Sequence, residues 1–202
     1  MMCSMNATAK TPLCDLAAVS AGHPVRGAVH DLAIGSVIML QMRDVDEQEG
    51  IAWEDAVRIE PPGKRTPNFL EPGDVLFTSR GAKNLAVAVR ETPGSAICAP
   101  NLFIVRLYEQ SACLPAYLAW YMNQRPAQLY FQRSATGTNI LNIRREVVEQ
   151  LLIPVPSLAE QHAIVGFADA ARTERNLLRG LIRNRDQQLE ALALGLAGSE
   201  GA

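Results

Sequence analysis

Ser157-Leu158-Ala159-Glu160-Gln161-His162-Ala163-Ile164 opens the stretch that decides the architecture. Ser157 followed three residues later by Glu160 has the form of a capping box, in which each side chain satisfies the other's free backbone N–H at a helix start. From there a seam runs through Ile164, Ala168, Ala171, Arg175, Leu178, Ile182, Arg185, Leu189, Leu192 and Leu196. The steps alternate four and three throughout, which is a heptad repeat. A helix from about Ser157 to Leu196 is on the order of 60 Å long at 1.5 Å per residue. A single domain does not readily bury both ends of such a rod. Arg175 and Arg185 interrupt the apolar seam and call for a partner with carboxylates or a longer groove. A helix folded back on its own domain is the alternative; pairing with another helix, within or between chains, fits the repeat better.

Working back from Ser157, Leu151–Pro156 alternates apolar residues with proline and reads as an edge strand or extended connector. Arg144–Gln150 and Ala127–Arg133 fit short helices. Pro115 suits a first helical turn, where its missing N–H costs nothing. Leu114, Tyr117, Leu118, Tyr121 and Met122 then recur at helical spacing until Arg125-Pro126. The first 110 residues read instead as short strands between turns: Leu13–Val19, Ser36–Met42, Val75–Ser79 after the Glu71–Asp74 turn, Leu85–Arg90 and Asn101–Leu107, with a tight turn at Thr92-Pro93-Gly94. The expected fold class is α+β. A mixed, mostly antiparallel sheet with short helices occupies residues 1–156, and a long coiled-coil helix follows over 157–202.

A length of 202 residues suits one ordinary domain with an extension, and 48% hydrophobic residues are enough for a core. The longest apolar stretch, around Ile34–Leu40, is far below the ~20 residues of a membrane span. Met1–Lys10 has no apolar run of the secretory kind. Cys3, Cys14, Cys98 and Cys113 fall at wide spacings without a CxxC pair, and His23, His30 and His162 make no ligand pattern with them. Reduced thiols, no metal site and a cytoplasmic location are the expectation. The net charge of −2 excludes a uniformly basic coat. The distribution is uneven, however: −5 over residues 1–60, +4 over 61–153 and −1 over 154–202. A local basic surface in the middle segment is therefore open.

Catalytic constellations are missing from the sequence. It contains no GxxxxGK[ST], GxGxxG after a strand, HExxH or GxSxG. Glu60-Pro61-Pro62-Gly63 is the nearest string to an adenine methyltransferase motif, and glycine stands where an aromatic would stack on the flipped base. Asp44, Asp46 and Glu47 with Lys64 have a nuclease-like composition without a recognisable spacing. Cys98 or Cys113 as a nucleophile would need a histidine brought close by the fold. The chain does not read as an enzyme.

Gly73-Asp74-Val75-Leu76-Phe77-Thr78-Ser79-Arg80-Gly81 resembles the strand and loop of specificity subunits of type I restriction–modification systems. Tyr117-Leu118-Ala119-Trp120-Tyr121 resembles a helix of their target recognition domain. Ala135-Thr136-Gly137-Thr138 and then Ile153-Pro154-Val155-Pro156-Ser157 through Ile164 resemble their passage from that domain into a conserved helix. The order and spacing of these pieces over about residues 11–196 carry the resemblance. It implies a subunit without chemistry of its own, which reads half of a bipartite duplex DNA target per recognition domain. It would position a methyltransferase on adenines and, where present, a translocating endonuclease. Any S-adenosylmethionine would be bound by the methyltransferase, so no cofactor is expected here. A full subunit of this family has two recognition domains and two helices paired antiparallel; this chain has one of each. A homodimer through the Ile164–Leu196 seam, a pairing with a second half-subunit, and a truncated remnant all remain open. A homodimer would read inverted identical halves. The competing readings are a stand-alone DNA-binding regulator or restriction antagonist with no methyltransferase, and an enzyme built from scattered residues such as Cys98 and His30.

DNA contacts need cations or N–H groups at phosphates, and amides or guanidinium forks at base edges. Candidates by residue type and turn context are Lys64, Arg65 and Asn68 before the Gly73 strand, and Arg80, Lys83 and Asn84 after it. Thr136, Gly137, Thr138 and Asn139 offer a loop whose glycine lets backbone approach a phosphate. Arg144 and Arg145 start the next helix, and Gln41 and Arg43 follow the Ser36 strand. The acidic Asp44–Glu47 run should face away from phosphates or toward a protein partner.

Overall fold

The computed structural model describes residues 9–24, 35–60, 66–81, 84–135 and 142–198, with side chains to residue 194. The elements run β1 (Lys10–Pro12), α1 (Leu13–Leu16), β2 (Ala17–Ala21), β3 (Val37–Leu40), a 3-10 turn (Met42–Asp44), β4 (Val45–Asp46), β5 (Gly50–Ile51), β6 (Val57–Ile59), β7 (Val75–Thr78) and β8 (Ala86–Ala88). They continue with β9 (Ala96–Cys98), β10 (Leu102–Leu107), α2 (Pro115–Met122), α3 (Arg125–Ser134), α4 (Arg145–Glu149), β11 (Leu152–Pro154) and α5 (Leu158–Gly198). This is the expected mixed α+β architecture. Among the described strands only the β3–β9 pair is parallel.

β10 is the spine. Its Leu-Phe-Ile-Val run pairs antiparallel with β2 on one side and β7 on the other, giving the order β2-β10-β7-β8. Successive strand residues face opposite ways, so β7 and β10 each serve two cores. Phe77, Val75, Phe103 and Val105 face the helices, among Leu118, Met122 and Phe131. Leu76, Leu102 and Ile104 face the second sheet, β6-β3-β9, among Ile38, Leu40 and Cys98. Burial on both faces explains why β7 and β10 are apolar runs rather than alternating ones. The Phe77 and Phe131 rings lie 4.8 Å apart at 46°, and truncating so buried an aromatic typically costs about 3–5 kcal/mol.

Side-chain bonds fix the helices to the sheet. Asn123, closing α2, accepts the Ala86 N–H (2.9 Å) and donates to the Ala86 carbonyl (2.7 Å). The Tyr117 hydroxyl donates to the Pro154 carbonyl at 2.7 Å, tying α2 to β11, which pairs with β1. At the start of β7, the buried Asp74 holds both Arg106 Nε (2.7 Å) and Nη2 (2.8 Å). Arg106 also donates to the Phe69 carbonyl at 2.9 Å. This fork joins the end of β10 to the turn before β7.

Three local differences from the sequence reading have simple causes. Residues 13–16 make one helical turn rather than a strand, because Leu13 and Leu16, three apart, both reach the core from a helix. α3 starts at Arg125 instead of Ala127, with Pro126 tolerated in its first turn. β9 lies between Gly94 and Asn101, where no strand is legible: three residues are too few for a periodic signal.

The chain divides into two compact units, Met1–Val165 and Gly166–Ala202, while the backbone turns helical at Leu158. α5 opens with the capping box. Ser157 N–H and Oγ–H reach Glu160 Oε2 at 3.0 and 2.7 Å, and Glu160 N–H returns to Ser157 Oγ at 3.3 Å. The Ser157 hydroxyl, helped by the backbone N–H, draws the Glu160 carboxyl below its ordinary value. In the second unit Leu178, Ile182, Leu189 and Leu192 are all exposed, as are Phe167, Leu177, Leu181 and Leu194. Ala168 and Ala171 are half-buried, and Arg175 and Arg185 are exposed. The Leu196 side chain lies outside the described residues.

Candidate nucleic-acid interface

Strand direction gathers several loops at one end of the two sheets. β2, β3, β7 and β9 all finish there, and β10 starts there. Backbone hydrogen bonds then stitch the segments together. Ala99 N–H donates to the Leu40 carbonyl (2.8 Å), Ser79 N–H to Asn101 (2.9 Å) and Ile143 N–H to Ser79 (2.8 Å). His23 N–H donates to the Cys98 carbonyl at 2.7 Å. At Gly22 a Cβ would fall 2.1 Å from the Ala99 carbonyl oxygen, so only glycine permits this approach. Arg80 and Asn142 pair as an isolated antiparallel bridge, and Gly81, at φ +121°, turns the chain immediately afterwards.

The candidates separate on this frame. Gln41, Arg43, Arg80, Arg144 and Arg145 come to the same end although they are far apart in sequence. Gln41 caps the 3-10 turn, its N–H donating to Asp44 Oδ2 at 2.8 Å. Arg43 is largely exposed, with Nε 3.4 Å from the buried Asp44 carboxylate. Arg80 and Arg144 are exposed. Arg145 pairs with Glu149 at 3.3 Å one helical turn on, a surface contact too weak to hold the guanidinium against a phosphate. Asp44 is turned inward, and Asp46 accepts the Gln48 and Glu49 N–H groups at 2.7 and 2.9 Å. Both carboxylates are thus occupied by local backbone.

Asn84 takes a different place from a base reader. It is buried, donates to the Thr78 carbonyl at 2.8 Å, and its own carbonyl accepts from Gln128 of α3 at 2.8 Å. It braces the loop from behind. Asn68 is exposed and donates to Ser20 Oγ at 2.9 Å, one residue before β2 ends at the stitched edge. Lys64, Arg65, Lys83, Thr136, Gly137, Thr138 and Asn139 lie outside the described residues. Asn101 and Asn142 join the stitched end without any sequence signal. Asn101 sits in the turn between β9 and β10, and its carbonyl also takes the Ser79 hydroxyl at 2.9 Å.

Burial, with Asp74 adding to it, pushes the Cys98 thiol up to about 12. Burial alone pushes Cys113 up to about 12. Both are therefore protonated, unreactive thiols at neutral pH. Among the described residues no cluster of three His, Cys, Asp or Glu side chains could hold a metal ion, and no described helix is long and apolar enough to cross a membrane.

No family model and no curated protein sequence matches the chain. Solved structures do. The HsdS subunit from Thermoanaerobacter tengcongensis superposes with a TM-score of 0.61 at 16% identity, over 88% of this chain and 40% of that one. A chain from a structure describing complex assembly and conformational transition of the type I R-M system gives 0.66 at 15%, over 94% and 45%. The type I restriction–modification S subunit from M. genitalium gives 0.58 at 14%, over 92% and 45%. The chain has the fold of these specificity subunits and spans less than half their length.

Proposed function

We propose that the chain is a non-catalytic, cytoplasmic DNA-specificity subunit of a type I restriction–modification system. Its first unit reads one half of a bipartite duplex target and brings a methyltransferase to it, with an endonuclease where the system has one. The observation that carries this reading is the stitched end of the two sheets, where Arg43, Arg80 and Arg144 stand exposed on loops tied to one another through backbone. The shared fold supports it.

The division of labour follows from side-chain chemistry. Arg80 and Arg144 meet phosphates and set register, while Gln41 and Arg43 have the amide and the fork that base edges match. Rigid loops make such contacts cheaply, because little conformational freedom is left to lose on binding. Methyl transfer and S-adenosylmethionine belong to the partner. The exposed Leu178, Ile182, Leu189 and Leu192 of α5 are covered by the same helix of a second chain, which supplies the second recognition unit. Two identical units related by a two-fold axis read inverted identical half-sites.

Genome-wide maps of adenine methylation, with the gene intact and deleted, test this. Loss of one bipartite motif with identical inverted halves on deletion is the expected result. Unlike halves would replace the homodimer by a pair of different chains. An unchanged map would overturn the proposal in favour of a DNA-binding regulator without a methyltransferase.

A further inference from the structure

Among the described residues one buried side-chain polar atom has no hydrogen-bond partner: Nε2 of His23. The residue is only 6% exposed, and it stands at the stitched end. Two backbone bonds place it there. Gly22 N–H donates to the Leu102 carbonyl at 2.9 Å, holding the end of β2 to β10, and His23 N–H crosses to Cys98 at the end of β9 at 2.7 Å. The backbone is fixed, while the ring nitrogen is left over. The other buried polar side chains, Asp44, Asp74, Thr78, Ser79, Asn84 and Gln161, all hold partners.

Water satisfies an imidazole nitrogen in the unfolded chain, so burying it unpaired opposes folding. An apolar side chain of the same size would fill the place without that cost. Imidazole also leaves a buried site more readily than an apolar group does, because its nitrogens regain polar partners. What is missing is therefore a partner from outside, at the end that carries Gln41, Arg43, Arg80 and Arg144. A base edge suits the nitrogen better than a phosphate. It is uncharged and is dehydrated at lower cost. Imidazole donates or accepts according to its tautomer, which matches the N7 and O6 acceptors and the amino donors of the major groove.

Building on the proposed function, we infer that His23 is a specificity-determining residue: on the target duplex its imidazole turns from the buried place, where Nε2 is unpaired, to a base edge of the half-site. On a wrong sequence no partner is offered and the ring stays inside. Discrimination then comes from one side chain with two positions on a rigid backbone.

The test uses the full chain with His23→Leu, which keeps the volume and deletes both nitrogens, and with His23→Gln, whose amide reaches about as far as Nε2. The probe is the duplex carrying the motif mapped in wild-type cells, together with a series substituted at each half-site base pair in turn. His23→Leu should lose about tenfold of its preference, or about 1.4 kcal/mol, at one base pair and none at the others. Its urea midpoint should not fall below that of the wild type, and its affinity for scrambled duplex should not change. His23→Gln should regain part of the preference. In the wild-type protein the Nε2 nitrogen NMR resonance should move on addition of target duplex and stay in place on addition of scrambled duplex. Should His23→Leu fail to fold, that resonance decides alone. An unmoved resonance, or an unaltered preference at every base pair, overturns the inference and leaves the proposed function standing. Equal losses on target and scrambled duplex overturn it as well. A wild-type map without any bipartite motif overturns the function and this inference with it.

Discussion

Arg80→Ala is the sharpest probe of the stitched end. The Arg80 side chain is exposed, while its backbone is held by the bridge to Asn142 and by the neighbouring Ile143–Ser79 bond at 2.8 Å. Removing the side chain should leave the loop in place and delete one cation. Each phosphate contact contributes about 0.9 to the slope of log affinity against log salt, so losing one contact per chain lowers the slope by about 0.9 for a monomer and about 1.8 for a dimer. Between about 50 and about 200 mM salt the wild-type protein should therefore lose about 3.5-fold more affinity per contact than the variant. Fluorescence anisotropy of a labelled duplex over a salt series measures this directly. The loss should be the same on target and scrambled duplex, because a phosphate contact carries no sequence information. An unchanged slope would refute the assignment of Arg80 to a phosphate. A loss confined to the target duplex would make Arg80 a base reader instead.

Other outcomes follow from the same structure. Ile182→Asp with Leu189→Asp should dissociate a helix-paired dimer: four uncovered side chains at ~1.5 kcal/mol each raise the dissociation constant by on the order of 10⁴-fold. Sedimentation equilibrium would show it, and a monomeric wild-type chain would sink the pairing. Cys98 in the native protein should resist iodoacetamide at pH 8 and react after denaturation, since burial holds it protonated up to about 12. Its folded value lies above its ordinary one, so the stability it confers is full below about 9 and is lost as pH rises from there toward about 12. Rapid native labelling at that position, read by mass spectrometry, would contradict the packing.

What could be read from the sequence follows from periodicity and local chemistry. α2, β7, β10 and the start of α5 were legible because each carries a long pattern or a cap: Pro115, the Glu71–Asp74 turn, or Ser157 with Glu160. β9 and the single-turn α1 were not, since three or four residues carry no period and are fixed by the core around them. For the site, residue type alone selected Arg43, Arg80 and Arg144. Their meeting depends on strand order, because β3 and β7 belong to different sheets whose ends are joined through the turn after β9. Asn84 has a reader's side chain, but tertiary contacts with Thr78 and Gln128 turn it into a brace.

The grip of Asn123 on Ala86 has a bearing on how the molecule associates. β8 is an outermost strand, and outermost strands present spare donors and acceptors to any extended chain that passes. At Ala86 both are already consumed by one amide, at 2.9 and 2.7 Å. A strand from another copy finds nothing to bond at that residue, which weakens this border as a template for fibrous growth. Cutting Asn123 back to Ala would reopen it, and the penalty would be measured in turbidity rather than in lost recognition.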